Sequence, residues 1–340
     1  MIAPTRQGAL LVNLGTPDAP TTPALRRYLR EFLSDPYVVD IPAIPRFLLV
    51  NGIIVPFRAP KSAHAYQAIW TENGSPLRHY TQSLAEMVKD RLSPDSWHIQ
   101  WAMRYGNPGL TPALEALRNQ GVERLTVLPL YPQFAQSTVT STVVEIHRVL
   151  KKLKWSPEVR VIEPFYAKSD YLHATAEQIR PLLDDPEKYV LFSFHGIPER
   201  HVLKSSPDCG SCLPKLACEK LEHSLCYRGQ SYETAHGLAR ELKLPASRYS
   251  ISFQSRLGRT PWIRPFTDMH TEELLKRGVR KLVVACPSFV SDCLETIEEI
   301  GIREKERFLA TGGLSFELAP CLNDSPTWAD TVVRMIEEKE

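Results

Sequence analysis

The feature that most constrains the fold is a repeated alternation of short apolar runs with amphipathic helical patterns along the 340 residues of this chain. Six apolar runs are evident: residues 9–14, 99–103, 125–131, 189–194, 249–253 and 281–285. Nearly continuous apolar strands are typical of a sheet that is covered by helices on both faces. Their alternation with helices indicates parallel βαβ units, so we predict an α/β protein.

The second half of the chain repeats the rhythm of the first, which predicts two similar doubly wound domains with parallel sheets. We place an N-terminal α/β domain at residues 1–165, a C-terminal α/β domain at residues 166–325 and a final helix at residues 326–340. Ligands of such sheets bind beyond the carboxyl ends of the strands. We therefore expect the ligand site in a cleft between the two domains.

The balance of charge excludes one large class of function. The chain has 41 basic and 39 acidic residues, whereas a general nucleic-acid binder needs a basic excess or stripe. Residues 1–8 lack the pattern of a signal peptide, and no apolar run reaches the ~18 residues of a membrane helix. The longest apolar segment, residues 47–57, is either a soluble core segment, which the pattern favours, or an exposed apolar lip. A cytoplasmic location follows, in which the seven cysteines serve as thiols or ligands.

A histidine stands at the carboxyl end of one predicted strand. His195 directly follows residues 189–194 and precedes Gly196. Catalytic side chains collect at this edge of a sheet, and an imidazole can accept a proton or bind a metal near neutral pH. A structural histidine that closes the strand is an equally good interpretation of the position alone.

A row of carboxylates follows the last strand. Asp292, Glu295 and Glu299 occupy positions i, i+3 and i+7, which would share one face of an α-helix that begins near Ser291. Because like charges repel, the row predicts a cation as partner, and oxygen and imidazole ligands together suit Fe²⁺ and other divalent first-row metals. The alternative is the preference of acidic residues for a helix N-terminus, which explains Asp292 well and Glu299 poorly.

Four of the seven cysteines fall within eighteen residues. Cys209, Cys212, Cys218 and Cys226 have the spacing C-x₂-C-x₅-C-x₇-C, which predicts a metal site in a reducing compartment. Four thiolates hold either zinc or an iron–sulfur cluster, and the spacing does not separate the two. A loop of unligated thiols is the alternative.

Aromatic and cationic side chains recur where the first domain's predicted strands and apolar segment end. A planar apolar ligand with acidic substituents would need aromatic walls together with Arg or Lys for its carboxylates. For any single one of these residues, ordinary surface is the alternative. The candidates are Arg58, Tyr66, Arg104, Tyr105 and Tyr131.

Seven segments of the chain resemble the ferrochelatase family, in the family's order and over nearly the whole length. They are LLVNLGTP, RAPKSAHAYQAIW followed by GSPL, MRYGNP, LPLYPQFAQST, SFHGIPER, YSISFQSRLG and CPSFVSDCLETIEEI. The resemblance implies a chelatase-like fold with a porphyrin cleft between two similar domains. It implies an enzyme that inserts Fe²⁺ into protoporphyrin IX to form protohaem, the final step of haem biosynthesis.

The resemblance also implies roles for individual residues. It places the family's catalytic histidine on His195 and its metal-site glutamate on Glu295, with Fe²⁺ as the substrate that they bind. Asp292 and Glu299 then belong to an acidic row along the helix after the site, which in some relatives is distorted toward π geometry. As a hypothesis on mechanism, we expect these two carboxylates to continue the relay route that starts at Glu295. Family positions near the porphyrin propionates, the cleft lip or the cleft wall match Arg58, Tyr66, Ser75 and Tyr131.

The cysteines mark two departures from many relatives. Cys293 stands where animal relatives have a histidine, and we assign it no ligand role. Some family members carry a [2Fe–2S] cluster, and here the four spaced cysteines lie between SFHGIPER and YSISF. The resemblance therefore implies an internal [2Fe–2S] cluster, with structural zinc as the alternative.

The sequence is compatible with three alternative functions. One is a ferrochelatase that uses coproporphyrin, another is a chelatase for Co²⁺ or Ni²⁺, and the third is a haem carrier or Fe–S sensor on the same fold. Peripheral membrane contact through residues 47–57 is a further expectation, because the substrate and product are apolar. We expect a monomer or a homodimer.

Overall fold

The structure is a computed structural model that describes residues 6–207, 213, 225–256, 258 and 260–338. The chain forms two compact units. The first unit comprises Met1–Tyr131, Gln136–Glu163 and Asn323–Glu340, and the second comprises Pro132–Ala135 and Pro164–Leu322.

Strands and helices alternate along the described chain. The elements up to residue 161 are β1 (Gln7–Thr16), α1 (Thr22–Ser34), α2 (Ala43–Leu48), a π-helix (Leu49–Ile54), α3 (Val55–Ile69), α4 (Pro76–Arg91), β2 (Trp97–Gly106), α5 (Leu110–Asn119), β3 (Arg124–Pro129), a π-helix (Gln136–Thr140), α6 (Ser141–Lys152) and β4 (Glu158–Val161). The later ones are α7 (Ser169–Ile179), a 3₁₀ turn (Arg180–Leu182), β5 (Tyr189–His195), α8 (Glu199–Ser205), α9 (Tyr227–Glu241), a 3₁₀ turn (Ala246–Arg248), β6 (Tyr249–Gln254), α10 (Thr267–Lys276), β7 (Lys281–Ala285), a π-helix (Glu295–Glu304), α11 (Lys305–Ala310), β8 (Ser315–Leu318) and α12 (Pro326–Glu337).

Each unit contains one parallel four-stranded sheet, with the same type of strand order. The first sheet has the order β2-β1-β3-β4 and the second the order β6-β5-β7-β8. This confirms the predicted α/β class with parallel sheets. The final helix α12 belongs to the first unit, where Asp330 accepts a hydrogen bond from Arg91 of α4 at 2.6 Å.

The central strands are apolar because helices cover them. In the first unit, Leu10 and Val12 of β1 pack with α5 and α6 residues such as Leu114 and Ile146 in one buried cluster. A second cluster joins β5 and β7 to Phe308 of α11. These cores hold the strands in register, so the carboxyl ends of β5, β6 and β7 lie side by side in the second unit.

Residues 47–57 do not form the core segment that the sequence pattern favours, and they form the exposed apolar lip that was the alternative. They lie in α2, the following π-helix and the start of α3, and the side chains of Phe47 and Phe57 are 64% and 73% exposed. Val50 and Val55 are fully buried in the same segment. The opposite face, which is normally polar in a helix at a protein surface, carries apolar side chains here and meets solvent. No helix among the described residues is long and apolar enough to cross a membrane.

Candidate active site

His195 is the last residue of β5, and its backbone is held on both sides. On one side, β5 pairs with β6 as far as His195 opposite Gln254. On the other, the pairing with β7 ends at Phe192 opposite Ala285. Beyond that point, side chains take the place of the strand. The backbone N–H of His195 donates to Ser288 Oγ at 2.8 Å, and its carbonyl accepts from the Tyr227 hydroxyl at 2.7 Å.

The carboxylate of Glu299 accepts two hydrogen bonds from Ser255, the residue that follows β6. The backbone N–H of Ser255 donates to Oε1 of Glu299 at 2.8 Å, and the hydroxyl donates to Oε2 at 2.5 Å. Ser255 has a φ of +66°, in the left-handed region that a non-glycine residue rarely adopts. Backbone strain of this kind concentrates at functional sites, where the surroundings enforce it.

The electrostatics of Glu299 link it to His195 and Glu295. Burial is the main cause that raises its pKa above the ordinary 4.5, because it disfavours the charged form. The hydrogen bonds from Ser255 and the charge on His195 lower that pKa, and the charge on Glu295 raises it. The structure thus brings a histidine and two carboxylates within electrostatic reach at one sheet edge.

The helix that carries both glutamates is a π-helix over Glu295–Glu304. The α-helical face that the i, i+3, i+7 spacing predicts therefore does not form, because π-helical hydrogen bonds run from i to i+5. Two hydrogen bonds connect the beginning of this helix to strands β5 and β6. Gln254 Nε2 donates to the carbonyl of Glu295 at 2.8 Å, and Ser193 Oγ donates to Gln254 Oε1 at 2.7 Å.

Asp292 precedes this π-helix and is buried, with hydrogen bonds to neighbouring residues. Its Oδ1 accepts from the Thr296 hydroxyl at 2.9 Å, and its Oδ2 accepts from the backbone N–H of Cys321 at 3.3 Å. Cys293 is also buried, and burial is the main cause that raises the pKa of its thiol well above the ordinary value. In the part of the chain that the structure describes, no group of three or more His, Cys, Asp or Glu side chains is placed to hold a metal ion.

In the first unit, Arg104 and Tyr105 meet at a carboxylate that the sequence did not indicate. Asp35 Oδ2 accepts from Arg104 Nη2 at 2.6 Å, from the Tyr105 hydroxyl at 2.7 Å and from Ser141 Oγ at 2.6 Å. Burial raises the pKa of the Tyr105 phenol far above its ordinary value, so it remains a donor. Asp35 follows α1 in a turn, where an Asp is common for local reasons, so only the tertiary fold reveals its partners.

The other first-unit candidates differ in exposure. Ser75 is buried and accepts a hydrogen bond from the Thr16 hydroxyl at 2.8 Å. Tyr66 is buried with its ring edge-to-face against Trp70, at 6.3 Å between centroids. Tyr131 is also buried, which raises the pKa of its phenol, while Arg58 is exposed on α3.

The predicted cysteine site falls largely outside the described residues. Cys209, Cys212 and Cys218 are not among them, whereas Cys226 is. Cys226 is buried and caps the beginning of α9, where its Sγ accepts a hydrogen bond from the backbone N–H of Gly229 at 3.4 Å.

The chain matches one protein family over nearly its full length. A family model described as Ferrochelatase matches residues 6–340. A protein named Ferrochelatase from Legionella pneumophila (strain Lens) is 45% identical over 336 residues, which cover 98% of this chain and 99% of that protein. Another of the same name, from Azotobacter vinelandii, is 46% identical over 340 residues, with 97% and 98% covered.

Solved structures show the same fold at low sequence identity. SirB from Bacillus subtilis with Fe³⁺ superposes with a TM-score of 0.56 and 14% identity, over 98% of this chain and 95% of that one. The sirohydrochlorin chelatase SirB from Bacillus subtilis subspecies spizizenii, in complex with cobalt, gives 0.53 and 12% over the same shares. The similarity supports the chelatase-like fold that the sequence predicts.

Proposed function

Because this chain belongs to the ferrochelatase family, we propose that it is an enzyme that inserts Fe²⁺ into protoporphyrin IX to form protohaem. The observation that carries the proposal is the grouping of His195 with Glu295 and Glu299 at the carboxyl end of the second sheet. Insertion of Fe²⁺ releases two protons from the pyrrole nitrogens, so the site needs proton acceptors beside a place for the cation.

We assign proton acceptance from the pyrrole nitrogens to the imidazole of His195, with Fe²⁺ bound as substrate by His195 and Glu295. Glu299 then receives or passes protons, since its raised pKa brings its titration closer to neutral pH than that of an ordinary carboxylate. Asp292 extends the acidic row. Its hydrogen bonds to Thr296 and Cys321 support a role in fixing the start of the π-helix.

Contacts to the porphyrin are proposed for the first-unit candidates. The charge of Arg104 is oriented by Asp35, and among the described residues its Nη1 makes no hydrogen bond, which leaves a donor for a substrate carboxylate. We propose that the buried ring of Tyr131 forms part of the wall of the porphyrin site, and that the exposed Arg58 contacts the porphyrin at the edge of that site. Tyr66, Ser75 and Tyr105 complete this set of proposed substrate contacts.

The test compares His195→Ala with His173→Ala, which removes an exposed histidine of the same unit that pairs with Glu241. We expect His195→Ala to lower the rate of Fe²⁺ insertion by about 10²-fold or more while porphyrin binding and the thermal melting curve stay unchanged. His173→Ala should keep wild-type turnover. Near-normal turnover in His195→Ala would overturn the assignment of the base.

The same assay separates the alternative functions. Protoporphyrin and coproporphyrin are offered side by side, and preferential turnover of coproporphyrin would replace the proposed substrate. Haem binding without turnover of either porphyrin would instead indicate a carrier.

We further propose that Cys209, Cys212, Cys218 and Cys226 hold a [2Fe–2S] cluster, which supplies either one-electron chemistry or a covalent brace for the segment. The burial of Cys226 and the N–H donor to its sulfur fit a thiolate ligand of such a cluster. Purified protein should contain iron and sulfide in equal amounts and give an EPR signal after reduction. Stoichiometric zinc without sulfide would overturn the cluster in favour of the structural zinc site.

Peripheral membrane contact is proposed for the exposed apolar surface of α2, the π-helix after it and the start of α3. Five large apolar side chains are exposed there: Ile44, Phe47, Leu48, Ile53 and Phe57. The basic residues Arg46 and Arg58 accompany them, a combination typical of helices that lie in a membrane interface.

A further inference from the structure

A single buried tyrosine connects His195 to the beginning of α9. The hydroxyl of Tyr227 donates to the carbonyl of His195 at 2.7 Å. Tyr227 is the first residue of α9, and its side chain is almost entirely buried. Burial raises the pKa of its phenol far above the ordinary value, so the hydroxyl keeps its proton and remains a donor at any pH of interest.

The position of this contact in the sheet explains its importance. The pairing of β5 with β7 ends three residues before His195, at Phe192 opposite Ala285. The backbone N–H and carbonyl of His195 would therefore lack a strand partner on that side. Ser288 Oγ accepts from the N–H, and the Tyr227 hydroxyl donates to the carbonyl. Together they replace the missing strand.

The two backbone hydrogen bonds of His195 determine the orientation of its imidazole. Fixing both backbone polar groups of His195 fixes the direction of its Cα–Cβ bond. Phe289, which follows Ser288 directly, then limits the ring from one side, edge-to-face at 6.0 Å between centroids. Small displacements of a catalytic group are costly for rate, because effective proximity depends on alignment within a fraction of an ångström.

We infer that Tyr227 is a positioning residue for His195, which it acts on through the backbone. Because Tyr227 is the first residue of α9, a displacement of the beginning of α9 would also displace His195. Tyr227 directly follows Cys226, whose sulfur caps the same helix, so a change in what Cys226 binds would move the phenol that holds His195. The inference rests on the proposed function, in which His195 is the base.

The test compares Tyr227→Phe with Tyr189→Phe. Tyr189 is a matched control, because it is a buried tyrosine at the opposite end of the same strand β5 and donates to the carbonyl of Tyr249 at 2.8 Å. Both variants lose one phenol-to-carbonyl hydrogen bond in the second unit. We expect Tyr227→Phe to lower kcat about tenfold with the KM for porphyrin unchanged, while Tyr189→Phe keeps kcat within about twofold of wild type.

An NMR measurement separates failure of this inference from failure of the proposed function. The imidazole Cε1–H signal of His195, assigned by its absence from His195→Ala, should shift or broaden at fixed pH in Tyr227→Phe and stay unchanged in Tyr189→Phe. This readout needs no turnover, so it remains valid even if the chain had no chelatase activity.

The outcomes that contradict the positioning role are equally definite. Equal loss of thermal stability and equal kcat in the two variants, with an unmoved His195 signal, would show that Tyr227 is only structural. The link to Cys226 has its own test in the pair Cys226→Ser and Cys226→Ser/Tyr227→Phe. We expect Cys226→Ser to shift the His195 signal in the wild-type background and not in the Tyr227→Phe background. An equal shift in both would exclude transmission through Tyr227.

Discussion

Ser255 holds Glu299 with both of its donors, the backbone N–H at 2.8 Å and the hydroxyl at 2.5 Å. The grip requires a left-handed backbone at Ser255, which for a residue other than glycine costs on the order of 1–3 kcal/mol. Two hydrogen bonds to an ionised carboxylate offset that cost. The relationship therefore fixes a buried glutamate within electrostatic reach of His195 and holds its pKa below the value that burial alone would give.

Removing the hydroxyl should change the titration of Glu299. The bond from Ser255 stabilises the charged form, so Ser255→Ala should raise the pKa of Glu299 further above 4.5. If the ionised carboxylate is the active form, the acidic limb of the kcat/KM profile moves to higher pH, and activity is lost sooner as the pH falls. Ser250→Ala is the control, because it removes a different hydrogen bond of β6, to His270. An acidic limb that stays in place would mean that Glu299 does not titrate during turnover.

The carboxylate of Asp35 should be essential for the stability of the first unit. Its side chain is 3% exposed and that of Arg104 is 12% exposed, so Asp35→Asn would leave a buried cation without its counter-charge. Breaking one partner of a buried pair costs about 3–5 kcal/mol. We expect a loss of that order in the free energy of unfolding, measured with urea.

The control for that variant is Asp330→Asn, which breaks the surface pair with Arg91, where the side chains are 52% and 30% exposed. Pairs of this exposure contribute about 0–1 kcal/mol. Similar losses from both variants would contradict a special role of the Asp35 cluster.

A glycine at the end of β1 permits the close approach of β2. Gly15 has a φ of +122°, and a Cβ there would lie 1.8 Å from the carbonyl oxygen of Tyr105. Because backbone cannot move aside as a flexible side chain can, Gly15→Ala should destabilise the first unit by about 3 kcal/mol or more. Gly52→Ala is the control, since a Cβ there meets nothing within 4 Å. Thermal melting of the two variants tests this, and equal melting temperatures would contradict the packing argument.

The exposed phenylalanines should govern membrane binding. Phe47→Ser/Phe57→Ser removes the apolar surface that would enter the interface, so binding to vesicles of anionic phospholipid should weaken about tenfold or more in a sedimentation assay. Leu314→Ser changes an equally exposed residue, 70% accessible, in the second unit and should bind as the wild type does. Equal binding by all three proteins would remove the membrane proposal.

Local sequence patterns were sufficient to predict the central strands and the helices that have one apolar face. Residues 189–194 and 281–285 are predicted as strands and form β5 and β7, because strands covered on both faces are apolar throughout. The edge strands β4 and β8 were not predicted. Each has four residues and is at most half-buried along most of its length, so its sequence carries little of that signal.

The central strands, their parallel pairing and the position of His195 at a strand end followed from the sequence, since these depend on local pattern and on motifs that are contiguous in the chain. Which side chains contact each other across the chain depends on the three-dimensional fold. Asp35 and Arg104, which are 69 residues apart in the sequence, are hydrogen-bonded in the structure. The same holds for Ser255 and Glu299, 44 residues apart, and for Tyr227 and His195, 32 residues apart. Such pairs depend on strand register, on the π-helical geometry of Glu295–Glu304 and on where a strand pairing ends, and none of these leaves a periodic trace in the sequence.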